Sequence, residues 1–138
     1  MSKSSDAWLK LTQVVSSVEA DLGAVLQVQH ELGLSEYRAL EILARSKHSE
    51  LRMQELAAHL RLHQSSVARM AERLERAGLT VRDLCPDDKR GVFIVLTREG
   101  RKRLEGAQTN YEKALEAALK KHGAEKLLAT QASKVSRS

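Results

Sequence analysis

Apolar residues in the first part of the chain follow a three-four alternation, Trp8, Leu11, Val15, Val18, Leu22 and Val25. That is the seam of a long helix packing lengthwise on another helix. The pattern breaks near Gly33, and Ser35 stands as the expected N-cap of a second helix with Tyr37, Leu40, Leu43 and Ala44 on one face. Residues 47–52 are polar and read as a linker. Met53, Leu56, Ala57 and Leu60 then mark a helix of about two turns. After Arg61 and Leu62 another helix is expected from His63 to Ala77, with Val67, Met70, Ala71 and Leu74 inward and Gly78 at its terminating position. Two short helices joined this tightly form a helix-turn-helix.

Beyond Gly78 the period changes from that of a helix to that of a strand. Val92, Ile94 and Leu96 alternate with Phe93 and Val95, and Leu79 to Asp83 supplies a strand to pair with them. Between the two lies Cys85-Pro86-Asp87-Asp88-Lys89-Arg90-Gly91, a turn punctuated by Pro and Gly and loaded with charge. The expected unit is a hairpin with an exposed tip, a wing. Thr97 then caps a charged helix running from Arg98 to about His122, with Leu104, Ala107, Tyr111, Leu115 and Ala118 as a second apolar stripe, and Ala124 to about Val135 is weakly helical. The fold class expected is mainly α with a small β-hairpin. It is a single domain over 1–138, with a winged helix-turn-helix core at about 34–100 and dimerisation helices at about 6–30 and 98–137. The terminal stripes exceed what one core of this size needs, which predicts that the first and last helices pack between two subunits of a homodimer.

Charge narrows the partner. The 138 residues carry 23 Lys and Arg against 18 Asp and Glu, a formal net charge of +5, so an anionic partner is favoured. No apolar run reaches the roughly 20 residues that span a bilayer, and the polar start predicts neither a signal segment nor a membrane partner. The one cysteine, Cys85, cannot close an internal disulfide, which fits a cytoplasmic protein. A Gly-rich phosphate loop, a nucleophile elbow and a cluster of His with carboxylates are all missing from the sequence, so neither an enzyme nor a cofactor is expected. His59 and His63 have the spacing of two metal ligands, but the break between helices falls between them, and no metal site is expected.

Placement of the charges points to nucleic acid. Projected on a helix, Ser65, Ser66, Arg69, Arg73 and Arg76 fall opposite Val67, Ala71 and Leu74. Arginine donates two hydrogen bonds to a guanine edge or a phosphate. His63, Gln64, Ser65 and Ser66, near the helix start, lie within reach of bases or phosphates, which the N-terminal amides also attract. The bland alternative is a solvated basic face. A helix-turn-helix followed at once by a hairpin tipped with Lys89 and Arg90 argues against it, since both charges then fall on one contact surface. Arg90 has the reach for a narrow minor groove, with Asp88 placed to orient it, while ordinary turn chemistry accounts for Gly91.

Three stretches resemble the MarR family of winged helix-turn-helix regulators. They are Glu55-Leu56-Ala57, the run from Ser65 to Leu79, and Asp88-Lys89-Arg90-Gly91 leading into Leu96-Thr97-Arg98-Glu99-Gly100. The resemblance implies a dimer held by its terminal helices that binds a palindromic operator, usually as a repressor. In it, Arg90 serves as the minor-groove arginine with Asp88 as its partner, and Gln64, Ser65, Ser66, Arg69 and Arg73 contact bases and phosphates. It also implies a small aromatic or phenolic effector, for which Trp8 and Tyr37 are candidate lining residues. Three positions depart from the family pattern: Arg61 replaces a common Gly, Arg52 a capping Ser or Thr, and His63 a Ser. Cys85 replaces an acidic wing residue and lacks the purely cationic surroundings of a redox-sensing thiol. An effector-independent module that binds DNA architecturally or docks a protein is the alternative function.

Overall fold

A computed structural model describes residues 2–84 and 92–126. The elements are α1 (Lys3–His30), α2 (Leu34–Arg45), β1 (Glu50–Arg52), α3 (Met53–Leu60), α4 (Gln64–Arg76), β2 (Thr80–Leu84), β3 (Val92–Leu96) and α5 (Arg98–Lys121). They fall into two compact units, one built from residues 2–31 and 109–126 and the other from Leu32–Gln108. Among the described residues no helix is long and apolar enough to cross a membrane.

The larger unit holds the helix-turn-helix and a three-stranded antiparallel sheet in the order β1-β3-β2. Its core is aliphatic, with Leu40, Leu43, Leu56, Val67, Met70, Leu74 and Ile94 almost wholly buried. Tyr37 is sealed into the same core at 1% exposure, so it is a packing residue and does not line an open pocket. β2 pairs with β3 from Thr80↔Leu96 to Leu84↔Val92. On the other edge of β3, β1 pairs Glu50↔Val95, Leu51↔Ile94 and Arg52↔Phe93. The Arg52 guanidinium lies 5.4 Å from the centre of the Phe93 ring, within cation–π range.

Two local expectations are corrected. The N-cap of α2 is Gly33, not Ser35, because the Glu36 carboxylate reaches back 2.7 Å to accept from the Gly33 amide and starts the helix at Leu34. Residues 47–52 are not merely a linker: Lys47–Ser49 form a tight turn and Glu50–Arg52 form β1. The sheet therefore has three strands where a two-stranded hairpin was expected, since Leu51 finds a half-buried seat beside Ile94.

The junction of α4, the sheet and α5 is closely built. Gly78, at φ 78°, ends α4 in the left-handed conformation that glycine adopts without strain. Its amide donates to the Glu75 carbonyl at 2.9 Å, and the Leu79 amide donates to the Leu74 carbonyl at 2.9 Å. The Thr97 hydroxyl donates to the Gly78 carbonyl at 2.7 Å and accepts from the Gly100 amide at 3.0 Å, while the Thr97 amide donates to the Leu79 carbonyl at 3.1 Å. One side chain thus caps α5 and ties it to the end of α4. Thr97→Val, which keeps the volume and removes both hydroxyl bonds, is expected to lower unfolding free energy by about 1–2 kcal/mol in urea titrations. No change would mean that water replaces the hydroxyl.

In the smaller unit the α1 seam divides. Val18 and Leu22 are buried, together with Leu26, whereas Trp8, Leu11 and Val15 are exposed at 66%, 47% and 47%. The Asp21 carboxylate meets the His122 imidazole at 2.9 Å, and the side chains of His30 and Asn110 meet at 2.9 Å, so polar contacts join α1 to the middle of α5 and to the residue just past its end.

Candidate nucleic-acid interface

The helix-turn-helix is α3, a turn of Arg61, Leu62 and His63, and α4. Burial of Val67, Met70, Ala71 and Leu74 fixes the rotation of α4 about its axis. Gln64, Ser65, Ser66, Arg69, Arg73 and Arg76 are all exposed as a consequence. Ser65, Arg69 and Arg73 are four residues apart and run along one line of that face. His63, the N-cap, makes no side-chain capping bond. The amides at the start of α4 therefore keep their donors and the positive end of the helix dipole for an anion.

The arginines of α4 are not equivalent. Arg69 is exposed and has no ion-pair or hydrogen-bond partner among the described residues. Arg73 Nε lies 3.9 Å from Glu36 Oε2, which holds its side chain toward α2. Arg76 Nε donates weakly, at 3.5 Å, to the Glu72 carbonyl of its own helix. Sequence reading grouped all three, because a helical projection records direction but not the acids that other elements bring up.

It also missed a brace between α4 and the hairpin. Arg82 Nε donates to Glu75 Oε2 at 2.9 Å, and the Arg82 amide donates to Glu75 Oε1 at 3.4 Å. Two exposed charges seven residues apart gave no signal, because the contact depends on the turn at Gly78. An exposed pair of this kind contributes little stability, and it links the last turn of α4 to the first strand of the hairpin. The expected wing-tip residues Asp88, Lys89 and Arg90, together with Cys85, lie outside the described residues. Among the described residues, no group of three or more His, Cys, Asp or Glu is placed to hold a metal ion, and His59 and His63 have no third ligand.

Known proteins share both the sequence pattern and the fold. Residues 32–92 match the MarR family. The transcriptional repressor MdtR of Bacillus subtilis (strain 168) is 29% identical in an alignment of 96 positions that covers 64% of this chain and 62% of MdtR. This chain thus spans less than two thirds of the curated relative it matches. A MarR family regulator from Streptomyces coelicolor, solved in complex with DNA, is similar over 99% of this chain and 90% of its own, with a TM-score of 0.82 and 28% identity. CouR from Rhodococcus jostii RHA1, solved bound to p-coumaroyl-CoA, is similar over 98% of this chain and 92% of its own, with a TM-score of 0.76 and 26% identity.

Proposed function

We propose that the chain is a MarR-type DNA-binding transcriptional regulator, acting as a homodimeric repressor that binds a palindromic operator and is released by a small aromatic or phenolic effector. The observation that carries the reading is the exposed face of α4, where Gln64, Ser65, Ser66 and Arg69 stand beside uncapped amides on the second helix of a helix-turn-helix. Arg90, Lys89 and the orienting Asp88 extend the reading to the wing. The S. coelicolor regulator's DNA complex supports the partner, and CouR's bound p-coumaroyl-CoA supports an effector. Exposed Trp8, Leu11 and Val15 support the dimer, since apolar side chains repeated along one seam gain most by burial against a second copy.

Fluorescence anisotropy with a duplex enriched from a random library, and with a scrambled duplex, tests the reading. Selective binding by a dimer, falling steeply with salt, is the expected result. Equal binding to both duplexes would replace the regulator with an architectural module. The lack of any binding at low salt would remove the DNA-binding reading altogether.

A further inference from the structure

Glycine at position 33 is not required by its backbone. As the N-cap of α2 it adopts φ −76° and ψ 159°, an extended conformation open to other residues. What it supplies is room. A Cβ there would stand 2.9 Å from Glu36 Oε1, the atom that accepts from the Gly33 amide at 2.7 Å. Glu36 is thereby seated against the backbone, and its side chain is only 19% exposed. A carboxylate held in this way cannot swing out to solvent without opening the cap of α2.

The second oxygen of that carboxylate, Oε2, lies 3.9 Å from Arg73 Nε. Arg73 shares its line along α4 with Ser65 and Arg69, and Glu36 is the one acid paired with it among the described residues. The separation is too long for a hydrogen bond, so charge alone joins the two and the guanidinium keeps its donors. Carboxylate and phosphate are alternative partners for one guanidinium. When Arg73 turns to a phosphate, the fixed carboxylate is left behind without its cation beside a polyanion.

We propose that Glu36 is a built-in competitor of DNA, a carboxylate fixed by the α2 cap that lowers affinity by holding Arg73 until a phosphate displaces it. The inference rests on the DNA-binding reading above and gives it an internal brake. Phosphates are alike on every duplex, so the brake acts on affinity and leaves the choice of sequence to the rest of α4.

A double-mutant cycle separates this contact from the simple loss of a negative charge. Glu36→Gln keeps an oxygen that accepts from the Gly33 amide and removes the charge that holds Arg73. Wild type, Glu36→Gln, Arg73→Ala and the double variant are titrated by anisotropy across salt with the enriched and the scrambled duplex, well below the lowest melting temperature of the four. Glu36→Gln should bind both duplexes about threefold to fivefold more tightly at low salt, with the slope of log K against log salt steeper by up to about one. In the Arg73→Ala background the same substitution should change affinity by less than about 1.5-fold. An unchanged or weaker affinity in Glu36→Gln would overturn the brake. So would a gain confined to the enriched duplex, or one that survives Arg73→Ala in full and thereby marks Glu36 as a general repulsive charge. The Glu36 carboxyl-carbon resonance gives a readout that leaves α2 intact: it should move when duplex is added to wild type and stay in place in Arg73→Ala. A resonance that stays in place in wild type would equally overturn the brake. Failure of the wild type to bind either duplex would overturn the regulator reading itself, a result distinguishable from all of these.

Discussion

Gly100→Ala is expected to lower the melting temperature by about 10 °C, corresponding to about 3 kcal/mol of stability. A Cβ at this position would be driven into the Leu79 carbonyl oxygen and would stand 2.7 Å from Leu96 Cδ1. The oxygen belongs to the backbone and already accepts from the Thr97 amide, so it has little freedom to withdraw. The first turn of α5 must therefore lift away from the junction, loosening the Thr97 cap and the start of β2 together. Gly106, exposed in the same helix, supplies the control. Nothing lies within 4 Å of a Cβ there, and Gly106→Ala should raise stability by about 0.5–1 kcal/mol through helix propensity alone. Thermal melts followed by circular dichroism read both variants. A Gly100→Ala protein that melts with wild type would show that α5 can shift without cost.

Arg69→Ala is expected to weaken binding to the enriched duplex about tenfold to hundredfold while leaving the scrambled duplex within about threefold. The residue is exposed, lies near the middle of α4 and its side chain has no partner among the described residues, so its guanidinium is available to a base edge without first breaking an ion pair. Its removal should leave the melting temperature unchanged, because an exposed helix position contributes within about 0.5 kcal/mol. Arg73→Ala should cost less affinity, since Glu36 holds that side chain from the α2 side and must be displaced for Arg73 to reach DNA. An equal loss on both duplexes would reassign Arg69 to phosphate. A larger loss from Arg73 would reverse the proposed order along the helix.

The face of α4 was legible because four buried residues at helical spacing determine the rotation of thirteen. Thr97 was legible as a cap for a similar reason, since the hydroxyl stands directly before the helix it serves. What escaped depends on contacts distant in the chain. β1 offers three residues with one apolar side chain, too short a run for alternation to register, and it is a strand only because β3 presents a free edge. The turn before it places His48 and Ser49 at positive φ with neither Gly nor Asn to announce it. The Gly33 cap was within reach, because Glu36 stands three residues after it, but the hydroxyl of Ser35 drew the boundary inward. Within the candidate site, the separation of free Arg69 from tethered Arg73 needed Glu36 in place.

Arg52 is at once the last residue of β1 and the N-cap of α3, where its amide donates to Glu55 Oε1 at 3.0 Å. No spare residue separates sheet from helix. A residue inserted at this joint would push Leu51 to the opposite face of the sheet or advance α3 by one position, and neither can be absorbed locally. Length variation in descendants of this chain should therefore gather elsewhere. A saturating insertion scan would find residues 51–53 closed to added residues, while the turn at 46–48, two steps upstream, takes them freely.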